Sequence, residues 1–365
     1  MQQTGETRLQ EIERARQAVL AERGSATDVL AARGDDRGWI ERSWRRCLAQ
    51  GQRPGERVHF DVLPAAAARR TVEASHTLLQ AARPVMSRLA RAIAGSRYFA
   101  VLTDARGTVV GVDGLIDRSD RRAQLITRIG VDLSERAVGT TAIGAALAEL
   151  HPVWLHRGEH FFEDTSCYSC AGAPLIGPDG RPVGMLDLTG IDAAERPELK
   201  HLVVQSARSI ENALALARPH ALLLRLNWPG RALGDEHDGL LCLDGDGLVV
   251  SANPVAREML GHLAEGAALH ASDLFAMPWE TLFDAARDDT AQEVPLWSGL
   301  TLQVMAQAPG EPTRPAAGAR LPLKDLEAEL IRRAVQEHRG NVMAAARMLG
   351  ISRATVYRKL GQKAR

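Results

Sequence analysis

Residues 171–190 read AGAPLIGPDGRPVGMLDLTG. APLIG is a short apolar run, Pro178-Asp179-Gly180 is a turn, and PVGMLDLTG is a second run. Together they predict a β-hairpin. Working outward, YFAVLTD from Tyr98, a turn at Ala105-Arg106-Gly107, and TVVGV predict a second hairpin. PVWLH, from Pro152 to His156, predicts one more strand, and a long polar loop through His160 to Cys170 joins it to the first hairpin. Between them Ser134-Glu135 opens SERAVGTTAIGAALAEL, read as one helix. Long apolar-periodic stretches flank this region, from about Pro64 to Ala94 and from Glu198 to Ala217. Strands around a central helix, bracketed by long helices, define an α+β domain.

The first 48 residues are charged and helix-like, with Trp39, Trp44 and Leu48 on one helical face. After residue 221, GLLCLDGDGLVVSANPVAREMLG reads as strand, Asp-Gly turn, strand and helix, with Asn253-Pro254 opening the helix. TLFDAARD and VPLWSGLTLQVMAQ supply a further helix and strands. The order is similar to the start of a PAS domain, and a generic α+β dimerisation module fits it as well. Residues 310–320, GEPTRPAAGAR, form a linker rich in Pro, Gly and Ala. The expected organisation is therefore an N-terminal helical region over 1–60, a sensor over 61–220, a PAS-like module over 221–309, the linker, and an all-α tail over 321–365.

That tail predicts three helices. Leu326, Leu330, Ala334 and Val335 give the first an apolar face. Gly340 ends it, Asn341 caps the second, Gly350 ends that, and Ser352 caps the third. Ala346, Gly350 and Val356 stand in the register of a helix-turn-helix: a small residue for close approach, a Gly for the turn, an apolar lock. Ten basic residues oppose four acidic ones in the tail, which leaves it near +6. The whole chain is neutral, so the remainder is equally acidic. A basic tail on an acidic body points to double-stranded DNA.

GNVMAAARMLGISRATVYRKL resembles the Fis-type helix-turn-helix that ends many bacterial enhancer-binding regulators. The resemblance implies that Arg353 and Thr355 meet base edges, and that Arg358 meets bases or phosphate. It assigns Lys359, Arg339 and Ser352 to phosphate, with Asn341 at the edge of the interface. It also implies a homodimer joined through the helix bearing Leu326, Leu330 and Val335. RSWRRCLAQG near Arg42, LTDARGTVV, GVDLSERAVGTTAIGAAL, EHFF and CAGAPLIGPDGRPVGMLDLTG are similar to the GAF domain of acetoin-catabolism-type regulators. Thr141 stands where many of those carry Asn. A GAF-like sensor implies a pocket beside the sheet, for which Thr140, Thr141, His160, Phe161 and Cys170 are the candidates by position, and a small-molecule effector.

Relatives of this kind carry an ATPase between sensor and tail. The chain has four lysines (Lys200, Lys324, Lys359, Lys363), and none sits in G-x4-G-K-[ST], so no Walker A loop is present in this sequence. The expected activity is DNA binding that recruits or blocks RNA polymerase, or that modulates a complete relative, without ATP hydrolysis, with no enzyme activity and no cofactor. Cys167-Tyr-Ser-Cys170 leaves three readings open: pocket lining, a redox pair of Cys167 and Cys170, or a metal site with His156 and His160. A thiol-based redox or metal sensor is thus the second functional reading. A thiol enzyme on a GAF scaffold, of the methionine sulfoxide reductase kind, is the third. Cys47 and Cys242 lie in apolar contexts and read as core residues. No apolar run is long enough for a membrane span and the start of the chain has no signal-peptide core, which predicts a cytoplasmic protein without membrane contact.

Overall fold

A computed structural model describes residues 10–21, 38–261, 268–287 and 290–308, with isolated positions at 342, 343, 346, 353 and 356. The central hairpin forms as the pattern requires. β4 (Tyr168–Ile176) and β5 (Pro182–Ile191) pair antiparallel, joined through a turn at Gly177–Arg181. β1 (Tyr98–Asp104) and β2 (Val109–Asp113) add to the β5 side, and β3 (Val153–His156) adds to β4. The order is β2-β1-β5-β4-β3, all antiparallel.

Each face of this sheet has its own cover, because successive side chains point to opposite sides. Ala100, Leu102, Leu186, Leu188 and Ala171 face α3 (His76–Ile93) and α7 (Leu199–Leu216), which bury Leu78, Val85, Met86, Leu89, Val203 and Ile210. The helix-rich stretch expected from about Pro64 to Ala94 holds two helices, α2 (Ala65–Ala74) and α3, which meet at Ser75. Phe99, Val101, Val153, Leu155, Cys170 and Met185 face the other way. Over them lie α1 (Gly38–Ala49), α4 (Arg121–Ile126), α5 (Glu135–Val138), α6 (Ala142–Glu149) and the loop at 157–167. α4 has no counterpart in the sequence reading.

Two expectations need correction here. The single helix from Ser134 is two helices. Gly139 adopts φ 68° and ψ −160°, a region open to glycine alone, and Thr141 then caps α6 by accepting from the Gly144 amide at 3.2 Å. The break turns α6 back against α5, so closely that a side chain at Gly144 would meet the Glu135 backbone. The loop from 157 to 167, read as polar, is largely interior. Glu159, His160, Phe161 and Thr165 are all essentially buried. The strand after it starts at Tyr168, so Cys170 lies inside β4 rather than before it.

The residues after 221 form a second five-stranded antiparallel sheet. β6 (Leu222–Asn227) lies between β7 (Gly239–Leu243) and β10 (Thr301–Gln307), with β8 (Val249–Ala252) and β9 (Gln292–Pro295) at the edges. The Asp-Gly turn, the Asn253 cap of α8 (Pro254–Leu260) and the later helical turns α9 (Ala271–Leu274) and α10 (Glu280–Ala285) complete the α+β module. β6 was not foreseen. It is the central strand, and its Arg225 is buried at 3.4 Å from Asp238. The linker at 310–320 and the helix bearing Leu326, Leu330 and Val335 lie outside the described residues.

Gly139→Ala forces a side chain into both a glycine-only backbone region and the Phe162 ring, 2.8 Å from its ideal Cβ. Urea unfolding should show a loss of about 1–3 kcal/mol, whereas Gly55→Ala, which meets nothing, should stay within about 0.5 kcal/mol.

Candidate functional site

The space between the inner sheet face and its helical cover is where the sequence placed the effector. Four of the five candidate residues are buried there, and they fall into two groups. Thr140 is bound to α1: its hydroxyl lies 2.7 Å from Ser43 Oγ and 3.6 Å from Cys47 Sγ. Thr141, half-buried, serves as the α6 cap. His160 and Phe161 belong to the loop that α1 and residues 10–21 hold down. Arg16 donates to the carbonyls of Gly158, His160 and Phe161 at 2.8, 2.5 and 3.1 Å, and Trp44 Nε1 donates to Glu159 O at 2.9 Å. Cys170 is apart from these, on the sheet, with its Sγ 3.6 Å from Thr189 Oγ1.

The cover is tied together by one carboxylate. Glu135 accepts from Ser43 Oγ at 2.5 Å and from Arg46 Nε and Nη2 at 2.7 and 2.9 Å. Arg46 Nη1 donates onward to Glu149 at 2.6 Å, and Arg42 meets the other Glu149 oxygen at 2.6 Å. Burial pushes the Glu149 carboxyl up, but hydrogen bonds from Arg42 and Arg46 outweigh it and hold the group below its ordinary value. These charge-assisted bonds join α1 to both helices of the broken pair.

His160 is fully enclosed. Burial pulls its pKa down to about 4, so the ring is neutral near pH 7. Its Nδ1 lies 2.9 Å from Arg157 O, which makes Nδ1 the protonated nitrogen, and Nε2 has no hydrogen-bond partner among the described residues. Cys167 and Cys170 are free thiols. Burial raises both, Cys170 far more than Cys167, which is the reverse of the depressed pKa that a reactive thiolate needs. Among the described residues no cluster of three His, Cys, Asp or Glu side chains is arranged to hold a metal. Cys47 and Cys242 are buried in apolar cores.

Sequence reasoning missed the residue that stands out most. Asp187 in β5 is fully buried on the inner face, beside Val101 of β1 and Gly172 of β4. Thr189 donates to its Oδ2, while Oδ1 has no partner among the described residues. Burial lifts the carboxyl to about pKa 7 against the pull of the Thr189 hydrogen bond. The available signal was an acid amid the apolar residues of MLDLTG. At Met185, Asp187 and Thr189 the alternation puts that acid on a covered face.

In the tail, Ala346 and Val356 are helical and buried, as the helix-turn-helix register requires, and Arg353 is helical and exposed. Arg339, Asn341, Ser352, Thr355, Arg358 and Lys359 lie outside the described residues.

The chain thus joins a covered α+β core to a tail in which Ala346 and Val356 are buried in a helix-turn-helix register. The chain belongs to the family of the MimR N-terminal domain, whose model matches residues 12–212, and the model of the bacterial regulatory protein Fis family matches residues 322–362. It is similar to the acetoin catabolism regulatory protein of Cupriavidus necator, 32% identical over 73% of this chain and 40% of that protein. The acetoin dehydrogenase operon transcriptional activator AcoR of Bacillus subtilis is 26% identical over 60% of the chain and 36% of its own length. The propane 2-monooxygenase operon transcriptional activator MimR of Mycolicibacterium smegmatis is 27% identical over 72% and 43%. The chain thus spans well under half the length of these relatives. Among solved structures, the E. coli DhaR(N)-DhaL complex matches over 74% of this chain and 99% of that chain, at 14% identity and a TM-score of 0.45.

A pH prediction follows from Asp187. An unfolded Asp releases its proton near pH 4, whereas the folded chain keeps it to about 7. Across that window the folded state binds more protons, so this group's contribution to stability falls as pH rises, and levels off above 7. Urea unfolding from pH 4.5 to 8 should show this downward component in the wild type and lack it in Asp187→Asn. Parallel profiles for the two proteins would place the Asp187 pKa elsewhere.

Proposed function

We propose that this chain is a ligand-responsive, DNA-binding transcription regulator, with a GAF-like sensor acting on a Fis-type helix-turn-helix. The observation that carries this reading is the pairing, in one chain, of a MimR-type sensor domain with a Fis-family tail. The relatives named as activators of acetoin dehydrogenase and propane 2-monooxygenase operons support a regulatory role. Their inducers are not carried over. With no Walker A loop in this sequence, regulation proceeds by occupancy at DNA and by contact with RNA polymerase rather than by ATP hydrolysis, and the chain is not an enzyme. The tail binds as a homodimer.

In this reading the third tail helix enters the major groove. Arg353 and Thr355 read bases, Arg358 meets bases or phosphate, and Arg339, Ser352 and Lys359 hold phosphate, with Asn341 beside them. The exposed helical placement of Arg353, next to a register that buries Ala346 and Val356, supports its part. Among the described residues no helix is long and apolar enough to cross a membrane.

Gel-shift titration on the DNA upstream of the gene tests this. The full chain should bind with affinity that drops steeply with salt, and removal of residues 321–365 should abolish the shift while the near-ultraviolet spectrum of the sensor persists. Arg353→Ala should weaken binding to the preferred site by about 1–3 kcal/mol and relax selection at one base position. An equal loss on all sequences would assign Arg353 to phosphate, and no shift by the full chain at low salt would end the proposal.

A further inference from the structure

Two separate parts of the first domain hold one short stretch of the module that follows it. The stretch is Ser251 to Arg257, where β8 ends and α8 begins. The first part is the turn of the central hairpin. Pro178 O accepts from the Ala252 amide at 3.2 Å and from Arg257 Nη2 at 2.6 Å. Gly180 in that turn has φ 88°, and a side chain on it would stand 2.9 Å from the Arg257 guanidinium, so glycine lets the arginine lie across the turn. The second part is the end of α7. Asn212 Oδ1 accepts from Asn253 Nδ2 at 2.7 Å, and Ala215 O accepts from Ser251 Oγ at 2.8 Å. Four residues beyond Ala215 stands Pro219, which has no amide proton to offer that carbonyl. The second module supplies the missing donor.

The two parts are also tied to each other. Glu211, beside Asn212 on α7, accepts from the Ile176 amide at 2.9 Å, at the end of β4 just before the turn. The turn, α7 and the 251–257 stretch therefore close a triangle of hydrogen bonds. α7 packs on the outer face of the first sheet, and β5 is that sheet's middle strand, so a shift of the sheet against α7 strains a side of the triangle. Asn253 is where the strain arrives. It is buried and saturated: Oδ1 accepts from the Leu240 and Ala256 amides at 2.9 and 2.8 Å, and Nδ2 donates to Asp238 O at 2.9 Å as well as to Asn212. One side chain thus caps α8, pins β7 and grips α7.

We propose that residues 251–257 are the receiving element of the second module. Through them the hairpin turn and α7 make the first domain and that module one cooperative unit, and loosening of the first is felt at the α8 cap. The inference goes beyond the regulatory reading and does not depend on what the tail binds. Neighbouring modules open separately unless the contacts between them are costly to lose. Here parting them would uncap α8 and leave the Ala215 carbonyl without a donor, so separation is costly to both sides.

Hydrogen exchange followed by mass spectrometry on the full chain tests this. Gly139→Ala, which loosens the roof of the first domain, is the perturbation, with Trp44→Phe in its place should that variant not fold. In the otherwise wild-type chain it should speed exchange of the β7 and β8 amides at least fivefold, along with those of β4 and β5. With Asn212→Ala and Arg257→Ala added, it should still speed β4 and β5 but change β7 and β8 by less than about twofold. Glu258→Ala, exposed on the same helix, should leave the transmitted effect at full size. If the combined variant does not fold, Asn212→Ala alone, which keeps the Asn253 cap of α8, should cut the transmitted factor at least by half. Exchange in β7 and β8 that ignores the perturbation in the otherwise wild-type chain, or follows it equally once Asn212 and Arg257 are removed, overturns the proposal.

Discussion

The Glu135 carboxylate is the fastening on which the sensor interior depends. It sits in the four-residue helix α5, which is too short to be stable alone, and is bound from α1 by Ser43 and by two nitrogens of Arg46. Glycines make that fastening possible. Gly139 turns the chain between α5 and α6, and Gly144 lets α6 lie against the Glu135 backbone. The same α1 surface holds Thr140 through Ser43 and the 157–161 loop through Trp44. A chain segment from the N-terminal side of the sensor thus holds α5, α6 and the 157–161 loop over the inner sheet face. Losing Glu135 would leave Arg46 with only Glu149 as a carboxylate partner among the described residues and would free the roof at its centre.

Beneath that roof the inner sheet face is mostly apolar, and its polar side chains include one hydrogen-bonded row. Val101, Val153, Leu155 and Met185 behave as core residues, while Cys170, Thr189 and Asp187 form a directed set of hydrogen bonds. A carboxyl in such a place costs stability unless it is kept neutral or matched, and natural cores tolerate this chiefly where function requires it. The roof and the polar row then have a physical connection. α6 and the 157–167 loop cover that row, and both are held by α1 through Arg46, Arg42 and Trp44. The redox alternative loses ground on the same evidence, since burial drives Cys167 and Cys170 away from the thiolate.

Much of this was readable from residues alone, for identifiable reasons. The hairpin at 171–190 carried its turn as Pro-Asp-Gly between apolar runs, and the long helices carried a clean period, so both formed where expected. The Ala346 and Val356 register depends on local spacing, and those two positions are indeed buried. The failures came where tertiary packing overrode local pattern. LLLRLN is a short apolar run without alternation, because β6 is central and covered on both faces, and such a run has no periodic signature. The 157–167 loop reads as polar because its charges are visible in sequence, whereas the Arg16 and Trp44 contacts to its backbone come from far away in the chain. The helix from Ser134 contained its own break at Gly139, but a glycine inside a helical pattern is ambiguous until a neighbour such as Phe162 demands the space. Thr140 and His160 are buried, Thr140 against α1 and His160 in the 157–167 loop, apart from the sheet row of Cys170, Thr189 and Asp187.

Mapping the DNA occupied by this protein in its own cells tests the account most directly. Chromatin immunoprecipitation with the wild type and with Arg353→Ala should yield a small set of discrete promoter sites for the first and their loss for the second. A wild-type profile without discrete sites, or one that Arg353→Ala leaves unchanged, would contradict the central claim that this sensor serves a sequence-reading tail.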